Sequence, residues 1–102
     1  MSVPFLIDQN PTYSFVIPVY NEEEVLPELH RRMVAVMDTL DGPAEAILVD
    51  DGSRDNSYPL MLELNALDQR FKAVHFSRNF GQEVAVSAGL DLATGEAVVL
   101  LD

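Results

Sequence analysis

Two adjacent acids stand out as residues that could bind a ligand. Asp50 and Asp51 follow the apolar run 46–49, and Gly52 and Ser53 come directly after them. The run is short and lacks polar alternation, which is typical of a strand buried on both faces of a parallel sheet. Ligands of open α/β sheets bind just beyond the carboxyl ends of the strands. Side by side, two carboxylates also repel each other, which favours a use such as binding a cation, a hydroxyl group or a base edge.

The same four residues have a purely structural interpretation. An Asp-Gly pair is common in turns, where the aspartate accepts a backbone hydrogen bond or caps a following helix. Taken alone, the pair leaves both interpretations open.

Other polar segments follow predicted strands in the same way. The segment 18–22 (Pro-Val-Tyr-Asn-Glu) comes after the predicted strand 14–18, and the segment 77–81 (Ser-Arg-Asn-Phe-Gly) comes after the predicted strand 72–76. A fourth strand, predicted to be buried, begins at residue 97 and ends at Asp102. The ends of parallel strands share one edge of a sheet, so these segments are expected to meet there.

Helices are predicted between the strands. Apolar residues recur every three or four positions from about residue 23 to 40, which gives the first helix one apolar face, with Asn21 as its predicted cap. A second helix follows residues 55–57, and a third covers 82–93, where Ala85 and Gly89 allow close packing on the sheet. The resulting order β-α-β-α-β-α-β predicts an α/β, Rossmann-like fold, with a parallel sheet and helices on both faces. Residues 1–13 are interpreted as an irregular arm and residues 14–102 as the domain.

Composition excludes several classes of partner. The chain has 102 residues, 48% of them hydrophobic, and a net charge of -11 from 17 acids and 6 bases. This charge disfavours nucleic acid and anionic lipid as partners. There is no cysteine, no basic segment followed by an apolar one at the start, and no apolar run of the roughly 20 residues that cross a bilayer. We therefore expect a cytoplasmic location.

Taken in order and at these spacings, four segments resemble the family 2 glycosyltransferases with the GT-A fold. They are 18–22, 49–53, 77–81 and the end of the chain at Leu100-Leu101-Asp102. The polyprenyl-phosphate glycosyltransferases are the most similar members. The resemblance implies the nucleotide-binding half of a GT-A fold and the transfer of a sugar from a UDP- or GDP-sugar to a polyprenyl phosphate. It also implies a full-length parent at the cytoplasmic face of the membrane.

The resemblance further implies roles for individual residues. The nucleotide-sugar donor is expected to be held by Pro18, Tyr20, Glu22, Val49, Asp51, Arg78 and Gln82. Asp102 matches the first acid of the family's Asp-x-Asp motif, which binds Mg²⁺ or Mn²⁺ at the diphosphate, and a carboxylate suits such a hard cation. The second acid, the catalytic base and the acceptor-binding half are not present, so the chain alone is expected to be inactive.

Alternatives remain beside this interpretation. Three of these residues also have purely structural explanations. Tyr20 could cover the end of the sheet, Glu22 could be an acid in the first turn of a helix, and Arg78 could belong to a surface ion pair. His30 and His75 are interpreted as structural. A dinucleotide-dependent oxidoreductase needs a glycine-rich turn after the first strand, and segment 18–22 has no glycine. A non-catalytic module, either a receiver-like domain with an acidic Mg²⁺ pocket or a nucleotide-binding domain, is the other alternative, although receivers place their acid pair after the first strand.

The fourth strand also predicts an interaction between copies of the chain. In the family's sheet order it lies beside the first strand, which leaves residues 97–101 as an apolar, uncharged edge. Such edges are prone to pair with other strands. We therefore expect self-association, most simply a two-fold dimer that pairs fourth strands antiparallel.

Overall fold

The computed structural model describes residues 10–101. These residues form four strands and three helices in alternation: β1 (Tyr13–Val19), α1 (Leu26–Thr39), β2 (Ala44–Asp50), α2 (Ser57–Leu67), β3 (Phe71–His75), α3 (Gln82–Leu92) and β4 (Ala97–Leu100). All strands are parallel, in the order β3-β2-β1-β4. The predicted α/β class is confirmed. The predicted arm 1–13 lies mostly outside the described residues, and its last residue, Tyr13, already belongs to β1.

The side chains of each central strand alternate between two cores, as the period of a strand requires. On β1, Phe15, Ile17 and Val19 pack in the larger core, which contains residues of α1 and α2. On β2, Ile47 and Val49 point to the opposite face and pack with Ala85 of α3. Helices therefore cover both faces of the sheet, as predicted.

Helix α3 packs unusually close to the sheet. Ala85 is fully buried, and a Cβ atom built on Gly89 would lie 2.3 Å from Cγ1 of Val16. That separation is too short for any side chain at position 89. The small residues of α3 therefore have the packing role that the sequence predicts for them.

Strand β4 differs from the prediction of a buried strand. All four of its residues are exposed, and within residues 10–101 it pairs with β1 alone. An apolar run indicates a strand that would be stable when buried, but burial also requires a neighbour on each side and face. At the edge of this sheet, β4 has such a neighbour on one side only.

Candidate functional site

A pocket opens where β1 and β2 end. It has a volume of about 220 Å³ and is lined by Pro18, Val19, Tyr20, Glu22, Asp51 and Gln82. Five of these, all except Val19, are residues predicted to hold the donor, and they come from three separate segments of the chain. Its position at the carboxyl ends of parallel strands is the usual one for a ligand in this class of fold.

The chemistry of the lining favours a ligand that carries both a flat ring and hydrogen-bond donors. Tyr20 is 41% exposed, and its ring offers a surface for stacking. Asp51 and Glu22 offer carboxylates, which accept hydrogen bonds only, while the amide of Gln82 can donate and accept. The imide and hydroxyl groups of a nucleoside are donors of the required kind.

Two of the named residues lie elsewhere. The side chain of Val49 is fully buried in the core beneath α3, and it is not part of the pocket lining. Arg78 is exposed on the segment after β3, where its guanidinium carbon lies 4.5 Å from the centre of the Phe80 ring. Asp102 lies outside the described residues.

Asn21 fixes the loop after β1 to the loop after β2. The backbone of Asn21 has φ of +51°, which asparagine tolerates better than most residues. Its N–H donates to Oγ of Ser53 at 2.8 Å, and its Oδ1 accepts from the N–H of Arg54 at 2.8 Å. The prediction that Asn21 caps α1 is wrong: the helix begins at Leu26 after Val25, with no side-chain cap. The side chain is instead used to fix the loop that carries Tyr20.

A second set of hydrogen bonds joins the starts of α1 and α2. The N–H of Glu22 donates to Oγ of Ser57 at 2.8 Å, and the N–H of Glu23 donates to Oδ2 of Asp55 at 3.2 Å. Asp55 also accepts from the N–H of Ser57 at 2.9 Å. Desolvation raises the pKa of Asp55, but the hydrogen bonds from Ser57 and Glu23 outweigh it, so the pKa lies below its ordinary value. The position of Glu22 is thus fixed by Ser57, a residue of α2.

The two adjacent acids point to different neighbours. Asp50 is fully buried, with Oδ2 at 2.7 Å from Nδ1 of His75 and Oδ1 accepting from the N–H of Ser53 at 3.2 Å. The His75 ring in turn stacks on Tyr58, with the ring centres 4.1 Å apart. Asp50 therefore has the structural role of a turn-forming aspartate, and it does not line the pocket.

Asp51 faces the pocket and the segment after β3. Its carboxylate accepts from the N–H of Phe80 at 2.8 Å, from the N–H of Gly81 at 3.1 Å and from Nδ2 of Asn79 at 3.0 Å. The sequence predicts no individual role in the site for Asn79 or Phe80. Their only signal is their position directly after a strand, which does not reveal a contact with a residue 28 or 29 positions away.

Gly52 is also part of this arrangement. It has φ of +70°, and a Cβ atom there would lie 2.2 Å from the carbonyl carbon of Arg78. The segment 77–81 therefore crosses directly over Gly52. The Asp-Gly sequence indicates the positive φ, but the crossing is a property of the tertiary structure.

The residues described do not form a metal site by themselves. Between residues 10 and 101, no group of three or more His, Cys, Asp or Glu side chains could hold a metal ion. Within the same range, no helix is long and apolar enough to cross a membrane.

Comparison with known proteins identifies the family. A family model for glycosyl transferase family 2 matches residues 14–102. The chain belongs to this family, which confirms the resemblance inferred from the four segments.

Two curated relatives illustrate the similarity. The chain is 46% identical over 90 residues to the uncharacterized glycosyltransferase YkcC of Bacillus subtilis, a match that covers 88% of this chain and 28% of the relative. It is 47% identical over 103 residues to the undecaprenyl-phosphate 4-deoxy-4-formamido-L-arabinose transferase of Sodalis glossinidius, covering 100% of this chain and 31% of that protein. The chain thus spans about three-tenths of the length of these relatives.

Solved structures show the same fold. Residues 1–349 of TarS from S. aureus, in complex with UDP, superpose with a TM-score of 0.74 at 27% identity, over 89% of this chain and 27% of that 1–349 segment. The mannosyltransferase PcManGT from Pyrobaculum calidifontis, in complex with GDP-Man and Mn²⁺, gives a TM-score of 0.73 at 23% identity, over 87% and 26% of the two chains. These are GT-A glycosyltransferase structures, and the sheet of residues 10–101 corresponds to about a quarter of each.

Proposed function

We propose that the pocket binds the nucleotide part of a nucleotide-sugar donor, and that the chain serves the transfer of the sugar to a polyprenyl phosphate. The observation that carries this proposal is the convergence of Pro18, Tyr20, Glu22, Asp51 and Gln82 on one pocket. The 27%-identical TarS structure contains UDP, and several relatives are named undecaprenyl-phosphate transferases, which supports the two substrate classes.

The charge of the lining favours one orientation of the donor. Asp51 and Glu22 both face the pocket, and two carboxylates repel a diphosphate. The base and ribose therefore fit the pocket better, with Tyr20 stacking on the base and the carboxylates accepting hydrogen bonds from it. The diphosphate would then extend away from the acids, and Arg78 on the neighbouring segment is the cation we assign to it.

A divalent cation remains a prediction. The described residues supply no complete set of ligands, so Mg²⁺ or Mn²⁺ at Asp102 follows from the family resemblance alone. Such an ion would neutralise charge on the leaving diphosphate. We also propose a cytoplasmic location at the inner face of a membrane, where a polyprenyl phosphate acceptor resides.

Titration with UDP and GDP, monitored by the NMR signals of the 102-residue chain, tests the proposal. We expect signals from the pocket residues to shift, and we expect Asp51→Asn and Tyr20→Ala each to weaken binding by about 1–3 kcal/mol. Asp91→Asn removes the same charge from the exposed side of α3 and serves as the control. If neither nucleotide shifts the pocket signals, or if both variants bind as the parent does, the assignment is wrong.

A further inference from the structure

We infer that Asp51 is a positioning residue for this pocket: its carboxylate holds the segment 79–81, and with it the start of α3, before any nucleotide binds. The inference deepens the proposed function and rests on it for the identity of the ligand. The hydrogen bonds and close contacts that carry it are present within the chain itself.

Three donors of one short segment converge on the Asp51 carboxylate. They are the N–H groups of Phe80 and Gly81 and the side-chain amide of Asn79, at 2.8 to 3.1 Å. A carboxylate has about four acceptor positions, so these donors leave about one for a ligand. Hydrogen bonds to an ionised acceptor are roughly twice as strong as neutral ones, and at 3% exposure water competes little for this group.

The contacts have a consequence for α3. The helix starts at Gln82 after Gly81, which has φ of +108° and provides no side-chain cap. The Asp51 carboxylate places a negative charge beside this end of the helix, where the helix dipole favours it. Asp51 and Gln82 both line the pocket. By holding the start of α3, Asp51 therefore also positions Gln82.

The close contact at Gly52 restricts the same segment from below. The carbonyl carbon of Arg78 lies where a Cβ atom of residue 52 would be. The segment 77–81 is therefore both pinned by Asp51 and in direct contact with Gly52. The same contacts therefore fix Arg78 and Phe80, which belong to this segment, as well as Gln82, which follows it.

Hydrogen exchange of the backbone amides, measured by NMR on the free chain, tests the inference without any nucleotide. We expect Asp51→Asn to speed exchange at Phe80 and Gly81 by about tenfold or more relative to amides of β1 and β2. Asp91→Asn, on the exposed side of the same helix, should leave both amides unchanged. Unchanged exchange at Phe80 and Gly81 in Asp51→Asn would overturn the inference.

A second variant separates positioning from direct contact with the ligand. Asn79→Ala removes one donor from an exposed residue and leaves the Asp51 carboxylate intact. We expect it to raise exchange at the same two amides and to increase the Kd for UDP or GDP by about 2- to 10-fold. A Kd equal to that of the parent would show that Asp51 acts by direct contact alone. If the parent binds neither nucleotide, the proposed function fails, and the exchange result still decides the positioning role.

Discussion

Asp50 and Asp51 are adjacent in sequence, and the alternation of a strand sends their side chains in opposite directions. Asp50 turns toward His75 and the N–H of Ser53, while Asp51 turns toward the pocket and segment 79–81. The repulsion between neighbouring carboxylates is therefore reduced by separate sets of donors. Both residues have a structural role: Asp50 forms a turn, and Asp51 accepts hydrogen bonds at the start of α3. Only Asp51 borders the pocket.

Gly52 gives a prediction at the residue scale. Gly52→Ala places a Cβ atom 2.2 Å from the backbone of Arg78 at a positive φ, so we expect it to be destabilising by about 1–3 kcal/mol in urea unfolding. Gly52→Asn is the informative companion, because asparagine tolerates positive φ but still carries a Cβ atom. If the contact with segment 77–81 decides, Asn is no better than Ala. An Asn variant as stable as the parent would show that only φ matters.

In helix α3, close packing on the sheet requires a glycine at position 89 although alanine has the higher helix propensity. Alanine is a better helix former than glycine by about 1 kcal/mol, yet a Cβ atom at Gly89 would lie 2.3 Å from Cγ1 of the buried Val16. We expect Gly89→Ala to lower the free energy of unfolding by about 1–2 kcal/mol, since overpacking outweighs the propensity gain. Ser87→Ala, on the exposed side of the same helix, should be neutral or slightly stabilising. A Gly89→Ala protein more stable than the parent would contradict the close approach.

The junction between α1 and α2 gives a pH-dependent prediction. The pKa of Asp55 in the folded chain lies below its ordinary value of 3.8, so its hydrogen bonds stabilise the fold above that pH. Their contribution is lost as the pH falls through the lowered pKa. We expect Asp55→Asn to be less stable than the parent at pH 7, and the difference to shrink below about pH 3.8. Urea unfolding at several pH values, with Asp91→Asn as the control, measures this; a difference that does not change with pH would refute it.

At the scale of the whole molecule, the two edges of the sheet differ. The β3 edge carries exposed Lys72 and His75, a common protection against pairing with another strand. The β4 edge is formed by exposed Ala, Val and Leu residues without a charge, and Leu101 follows them. We therefore propose that copies of this chain associate through β4 rather than β3.

Light scattering over a range of protein concentrations tests this association. We expect the parent to form dimers at moderate salt, where the net charge of -11 is screened, and Val99→Lys to shift it toward the monomer. Leu67→Lys makes the same change at a residue that is 76% exposed at the end of α2, away from β4. A strictly monomeric parent, or equal dimerisation of both lysine variants, would exclude pairing through β4.

The sequence by itself determined the order of the elements and the general position of the site. Apolar periodicity distinguishes strands from helices because it reflects which faces are buried. The carboxyl ends of parallel strands must share one edge, which predicts that Tyr20 and Asp51 meet, and both line one pocket. Gln82, which lines it too, is predicted only by the family resemblance. These inferences need only local patterns and one rule of topology.

The tertiary structure decided how each side chain is used. Val49 lies in the core, Arg78 lies on Phe80, Asn21 bonds to the second loop, and β4 is exposed. The contacts of Val49 and Asn21 depend on partners far away in the chain, as does the hydrogen bond between Asp51 and Gly81, which are 30 positions apart. Residue type indicates which contacts a side chain can make. The partner it meets is set by the packing of whole elements, because the face and edge on which a residue lies fix the groups within its reach.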